Sequence, residues 1–100
     1  MADQLQRAAI SVPLNIAEGA GEFSKKEKAR FYRMALRSAT ECAAILDVCK
    51  CLNLTTDQVA TSGRDLLVRI VSMLTKMVRT LGESGTGTGT GTGTIGAPER

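Results

Sequence analysis

Residues 7–23, RAAISVPLNIAEGAGEF, decide how the rest of the chain is read. Around them Leu5, Ala9, Val12 and Ile16 recur in steps of four, three and four, which marks one face of a helix. Ile10, Leu14 and Ala17 form a second line that widens the apolar stripe. The stripe runs straight into Pro13. A proline inside a helix costs about 3 kcal/mol, because it lacks an N–H and its ring crowds the preceding turn. Its place between Val12 and Leu14 predicts a fixed bend with something packed against it. The Ala9 carbonyl then loses its helical donor, and Ser11 or Asn15 are the local candidates to compensate. Asp3 is placed to cap the start, and Gly19 with Gly21 to supply the stop. A first helix is therefore expected over about 3–20.

Outward from this stretch the chain is plainer. Ser24-Lys25-Lys26-Glu27 fits a capping box, with Ser24 holding a free N–H and Glu27 reaching back. Neither Gly nor Pro interrupts the chain from there to Leu54, so a second helix is expected over about 25–52. Phe31, Ala35, Ser38, Cys42, Ile45, Cys49 and Leu52 make a heptad-like seam whose small residues let a neighbouring helix approach closely. Asn53-Leu54-Thr55-Thr56 reads as a turn, with Thr55 and Gln58 as a weaker capping box. A third helix is expected over about 57–81, softened at Gly63 and closed by Gly82. Leu66, Ile70, Met73, Met77 and Leu81 form one apolar line on it, and Leu67, Val71, Leu74 and Val78 another. Together they exceed what one partner helix needs. The excess reads as an oligomer surface, against the plainer alternative of the centre of an intrachain bundle. Residues 85–94 are five Gly-Thr pairs, and glycine has no side chain to bury in a strand. Residues 83–100 thus read as a flexible, disordered tail behind a helical domain over 1–82.

Bulk composition fits this. Hydrophobic residues make up 43% and aromatics only 3% of the 100 residues, so the core is aliphatic. About 80 foldable residues is a small core, one that oligomerisation would help stabilise. The N-terminus has no apolar signal segment, and no apolar run approaches the ~20 residues of a membrane span. Three cysteines without secretory context point to free thiols in a reducing cytoplasm. Net charge is +3, but its distribution matters more. Residues 24–37 carry Lys25, Lys26, Lys28, Arg30, Arg33 and Arg37 against Glu27 alone. Residues 64–80 carry Arg64, Arg69, Lys76 and Arg79 against Asp65. Such helical faces attract phosphate or an acidic partner, and the competing reading is a solvated surface.

Other chemistry is thinly supported. The chain has no histidine, which removes His-based catalysis and the commonest metal ligand. Cys42, Cys49 and Cys51 have no zinc spacing and read as buried small hydrophobes. The glycines of AEGAGEF follow no strand and precede no loop lysine, so a helix end explains them better than a phosphate loop. Glu18 and Glu41 are carboxylates in apolar surroundings. They would serve as an acid–base pair only if buried together, and pairing with Arg7, Arg33 or Arg37 is the commoner outcome. No cofactor or small-molecule substrate is indicated. No finger, basic zipper or aromatic RNA-binding motif is present, so any nucleic-acid binding is expected to be weakly sequence-specific, with avidity supplied by assembly.

At RAAISVPLNIAEG, followed by SKKE over 24–27, RFYRMAL and SATE, the chain resembles a bacterial four-helix-bundle family first noticed in intervening sequences of large-subunit ribosomal RNA genes. The accessory variability determinants of diversity-generating retroelements are similar. The resemblance covers about residues 4–81. It implies an up-and-down bundle assembling into a ring, typically a homopentamer. In the retroelement branch a basic ring surface engages reverse transcriptase and nucleic acid. The recurring positions fall on Arg7, Pro13, Asn15, Glu18, Gly19, Ser38 and Glu41, and the resemblance implies structural roles for them: a bend, a helix end and a polar cluster between helices. Members usually carry one helix before the segment that begins near Gln4, and the Gly-Thr tail is not part of the family pattern.

The expectation is then an all-α, cytoplasmic, non-enzymatic oligomer with three long helices. It would bind RNA, DNA or a nucleic-acid enzyme through Lys25, Lys26, Lys28, Arg30, Arg33, Arg37, Arg69, Lys76 and Arg79. The alternative is a purely structural oligomer, with a carboxylate enzyme a distant third.

Overall fold

The computed structural model describes residues 2–86, with side chains described over 2–82. Three helices follow in order: α1 (Ala2–Ala20), α2 (Lys25–Cys51) and α3 (Asp57–Thr86). Among the described residues there is no strand, and the chain is an all-α helical bundle. Neighbours run antiparallel. Ser11 of α1 meets Ser38 of α2, and Gly19 meets Tyr32. Asp47 of α2 meets Arg64 of α3. The backbones of α1 and α3 pack on α2 but not on each other, so α2 is a spine carrying two wings.

The helix ends show which local signals act. Ser24 Oγ accepts the Glu27 N–H at 3.2 Å, as the capping box predicts. The Glu27 carboxylate, however, turns forward to Arg30 rather than back to the cap. The α2 terminus is a Schellman motif: Leu54 N–H donates to Cys49 O at 2.8 Å and Asn53 N–H to Lys50 O at 3.1 Å. Asn53 takes the left-handed conformation this needs, with φ of 57°. The cap of α3 is Thr56, whose Oγ1 accepts the Val59 N–H at 3.1 Å. That places it one residue later than the expected Thr55–Gln58 box, because the helix starts at Asp57. Gly82 does not close α3, which runs on to Thr86. A lone glycine costs a helix only about 1 kcal/mol and stops it only where the next residues favour a cap. The expected tail lies, from residue 87, outside the described residues.

In α1 the glycines play another part. Gly19 is inside the helix and buried. A Cβ there would lie 2.6 Å from Tyr32 Cε1 and 3.2 Å from the Lys28 carbonyl. Its role is close helix approach, and Gly21 alone takes the chain out, its N–H shared between the Ala17 and Glu18 carbonyls. α1 continues through Pro13, whose ring is exposed rather than packed. The Asn15 amide donates to the Ser11 carbonyl and hydroxyl, at 2.8 and 2.9 Å, and not to the Ala9 carbonyl.

The core gathers on α2. Tyr32, Ala35 and Leu74 are its fully packed centre, with Ile16, Leu36, Ile70, Met77, Val78 and Leu81 against them. The expected seam holds at Ala35 and Cys42, while Leu52 is 58% exposed. Ala29, Tyr32 and Ala39 are buried beside it. A spine that serves two wings must bury two adjacent rows, which a single heptad seam does not capture.

Candidate nucleic-acid and partner surfaces

Lys26, Arg30, Arg33 and Arg37 recur in steps of four, three and four, so they share one face of α2, and all four are exposed. This face points away from Tyr32, Ala35 and Ala39 on the packing side, although Lys26 and Arg33 on it border the late turns of α3. From Lys26 to Arg37 the row rises roughly 16 Å at 1.5 Å per residue. Arg33 and Arg37 have no partner among the described residues. Arg30 is held: its Nε and Nη2 lie 3.0 and 2.9 Å from Glu27 Oε1, and its guanidinium stacks 4.6 Å from the Phe31 ring centre. It presents a fixed but partly neutralised charge.

Lys28 does not belong to this row. It is half-buried, and its Nζ donates to the Gly19 carbonyl at 2.9 Å and the Ala20 carbonyl at 3.3 Å. It thus caps the last turn of α1, where free carbonyls and the helix dipole favour a cation. Lys25 lies elsewhere again. With Lys26, Ala29 and Arg33 it faces Val78, Leu81 and Gly82 across a cleft of about 350 Å³ between the start of α2 and the late turns of α3. The cleft has an apolar floor and three cations at its lip, an arrangement suited to an anion with an apolar body.

On α3, Arg69, Lys76 and Arg79 are exposed on a face of their own, spaced seven and three apart. Lys76 also sits on the lip of a second groove of about 400 Å³, lined by Tyr32, Met73, Met77, Thr80 and Leu81. Arg64 is spent on Asp47, with Nη1 at 3.1 and 2.9 Å from its two carboxylate oxygens, tying α3 to α2.

The seven signature positions divide. Ser11, Asn15 and Ser38 form the polar cluster between helices, with Ser38 Oγ donating to Ser11 Oγ at 2.7 Å. Ser11 is its hub, legible only as an i, i+4 match to Asn15. Arg7, Glu18 and Glu41 do not join it; all three are exposed and unpaired among the described residues. The expected ion pairs of Glu18 and Glu41 with Arg7, Arg33 or Arg37 do not form. Nor do the two carboxylates meet. The Ser11–Ser38 register sets Glu41 level with about residue 8, roughly 15 Å along the axis from Glu18. Pro13 and Gly19 act through backbone and space, as above.

Cys42 is buried, Cys49 half-buried and Cys51 exposed, so burial holds for one of the three thiols alone. Burial, and then the neighbouring Glu41 charge, push the Cys42 thiol above its ordinary range. Among the described residues, no three Cys, Asp or Glu side chains come together as a metal site. No described helix is long and apolar enough to cross a membrane.

The family model described as 23S rRNA-intervening sequence protein matches residues 1–76. Neither the curated proteins nor the solved structures yield a match.

Proposed function

We propose that this chain, which belongs to the 23S rRNA-intervening sequence protein family, works as a non-enzymatic, self-assembling helical scaffold that binds nucleic acid in the cytoplasm. The observation that carries the reading is the cationic row on α2. Lys26, Arg33 and Arg37 are exposed on one face without partners among the described residues, and Arg30 is braced between them. A protein gains little stability from stacking like charges along one face. Phosphate contacts would offset their repulsion. The Lys25–Lys26–Arg33 cleft extends the same potential toward α3. Arg69, Lys76 and Arg79 add a second, separate basic face.

Contacts of this kind hold the sugar–phosphate backbone and do not read bases. Binding should therefore be broad in sequence and steep in salt. The test is a mobility shift of a single-stranded RNA and a duplex DNA with wild type and with Lys26, Arg33 and Arg37 all changed to Glu. Wild type should bind at 50 mM salt and lose at least tenfold in affinity at 200 mM, and the triple variant should not bind. The same affinity in the variant would sink the assignment to α2.

A purely structural oligomer is the second reading, favoured by the exposed apolar side chains of α1 and α3, among them Ile10, Leu14, Leu66 and Met73. It predicts assembly with no mobility shift at any salt concentration.

A further inference from the structure

We infer that the turn between α1 and α2 makes the basic face selective for unpaired strands. The Phe23 ring stacks a free base while Lys25 and Lys26 hold its flanking phosphates, a role that rests on the nucleic-acid reading above. Phe23 is 103% exposed and packs against nothing among the described residues. The other exposed large hydrophobic residues keep part of their surface covered, the next most exposed being Leu54 at 63%. The remaining aromatics are placed otherwise: Tyr32 is buried in the core, and Phe31 is half-buried beneath the Arg30 guanidinium.

The turn fixes where the ring stands. Just before it the Glu22 N–H donates to the Gly19 carbonyl at 3.1 Å, and just after it Ser24 caps α2. The ring is thus held out in water, where it adds nothing to the fold. An aromatic face of this kind stacks any base, whatever the sequence. The surrounding charge selects a base over other apolar partners. Two residues of chain span at most about 7 Å, so Lys25 and Lys26 flank the ring, both exposed and without partners among the described residues. Roughly 9 Å farther along α2 from Ser24, at 1.5 Å per residue, Arg30 supplies a second plane. Its guanidinium is fixed by Glu27 and Phe31, and its side chain is 51% exposed. Planes alternating with cations match a chain of stackable bases and phosphates. A lipid surface would instead need an apolar helix face beside the ring, and that of α2 is buried against α1 and α3. A duplex offers the same phosphates, but its bases already stack on one another. The ring's contribution is therefore confined to single strands, and it leaves the salt slope unchanged because it neutralises no phosphate.

The test uses Phe23→Ala and Phe23→Trp in the full chain, each checked for wild-type helicity by circular dichroism. Binding is read by anisotropy of a short oligouridylate, a short oligothymidylate and a duplex DNA. Phe23→Ala should weaken both single strands by roughly 5- to 150-fold, with the duplex unaffected and every salt slope retained. Phe23→Trp should restore the affinity. The chain has no tryptophan of its own, so emission from that variant should be quenched by the single strands and not by the duplex. Unchanged single-strand affinity in Phe23→Ala, or equal losses on single strand and duplex, would overturn the stacking and leave phosphate binding standing. Loss of co-sedimentation with phosphatidylserine vesicles in Phe23→Ala, at unchanged oligouridylate affinity, would make the ring a lipid contact and overturn it too. A wild type that binds none of the three oligonucleotides would overturn both the stacking and the proposed function.

Discussion

The two interfaces of α2 are built on opposite principles. Toward α1, the buried positions of the partner helix are small, Ala8, Val12 and Gly19, and the meeting points are Ser11 with Ser38 and Gly19 with Tyr32. The backbones approach so closely that Gly19 has no room for a methyl beside Tyr32. Direction is set by the Ser11–Asn15–Ser38 cluster. Against α3, α2 meets large aliphatic side chains over the later turns, of which Leu74 alone is fully buried while Ile70, Met77 and Leu81 are partly covered. Small residues meet it near the start of α3, where Ala60 is buried and Gly63 lies against Leu46. A tight seam of small residues depends on shape and tolerates little addition. An aliphatic seam depends on buried volume and tolerates little removal.

That contrast is broken most forcefully at Leu74. Leu74→Ala empties the best-packed position of the aliphatic seam and should cost about 2–5 kcal/mol, read as the shift in urea midpoint. Next comes the opposite change at the other seam. Gly19→Ala adds one methyl in a helix where alanine is otherwise favoured, yet should destabilise by about 1–3 kcal/mol. Adding Tyr32→Leu should recover part of that loss; no recovery would mean that the ring is not what excludes the methyl. Smallest is Ser38→Ala, which removes the interhelical hydroxyl bond and should cost about 1 kcal/mol, or roughly 4–8 °C in Tm by calorimetry.

Much of this was legible in the chain. Periodicity located three helices, and Ser24 and Asn53 punctuated them, because those signals act within a few residues. What escaped depended on neighbours far along the chain. Gly19 looks like a helix stop until Tyr32 is set against it. Lys28 looks like one more cation of the basic run until the turn brings the end of α1 within reach of its Nζ. Glu18 and Glu41 look like internal polar groups until the register leaves both in solvent. Lys26, Arg33 and Arg37 were readable because their spacing alone fixes a shared face, and exposure required only that Tyr32 and Ala39 be buried on the packing side. The split between tight and aliphatic seams also explains why the signature stretch identifies the family while saying little of its work. Ser11 and Gly19 within it are engaged with α2 and Pro13 and Gly21 shape the backbone, whereas the cationic surfaces proposed to bind phosphate lie on α2 and α3.

The central claim is that the α2 row meets phosphate, and salt dependence tests it most directly. The measurement is fluorescence anisotropy of a single-stranded RNA at a series of salt concentrations, for wild type and for Lys26→Gln/Arg33→Gln/Arg37→Gln. The account predicts that log K falls linearly with log salt. Each phosphate neutralised on a single strand adds about 0.7 to that slope, so removing three cations should make it shallower by about 2 per subunit. Superimposable slopes, or no binding by wild type at 50 mM salt, would contradict it.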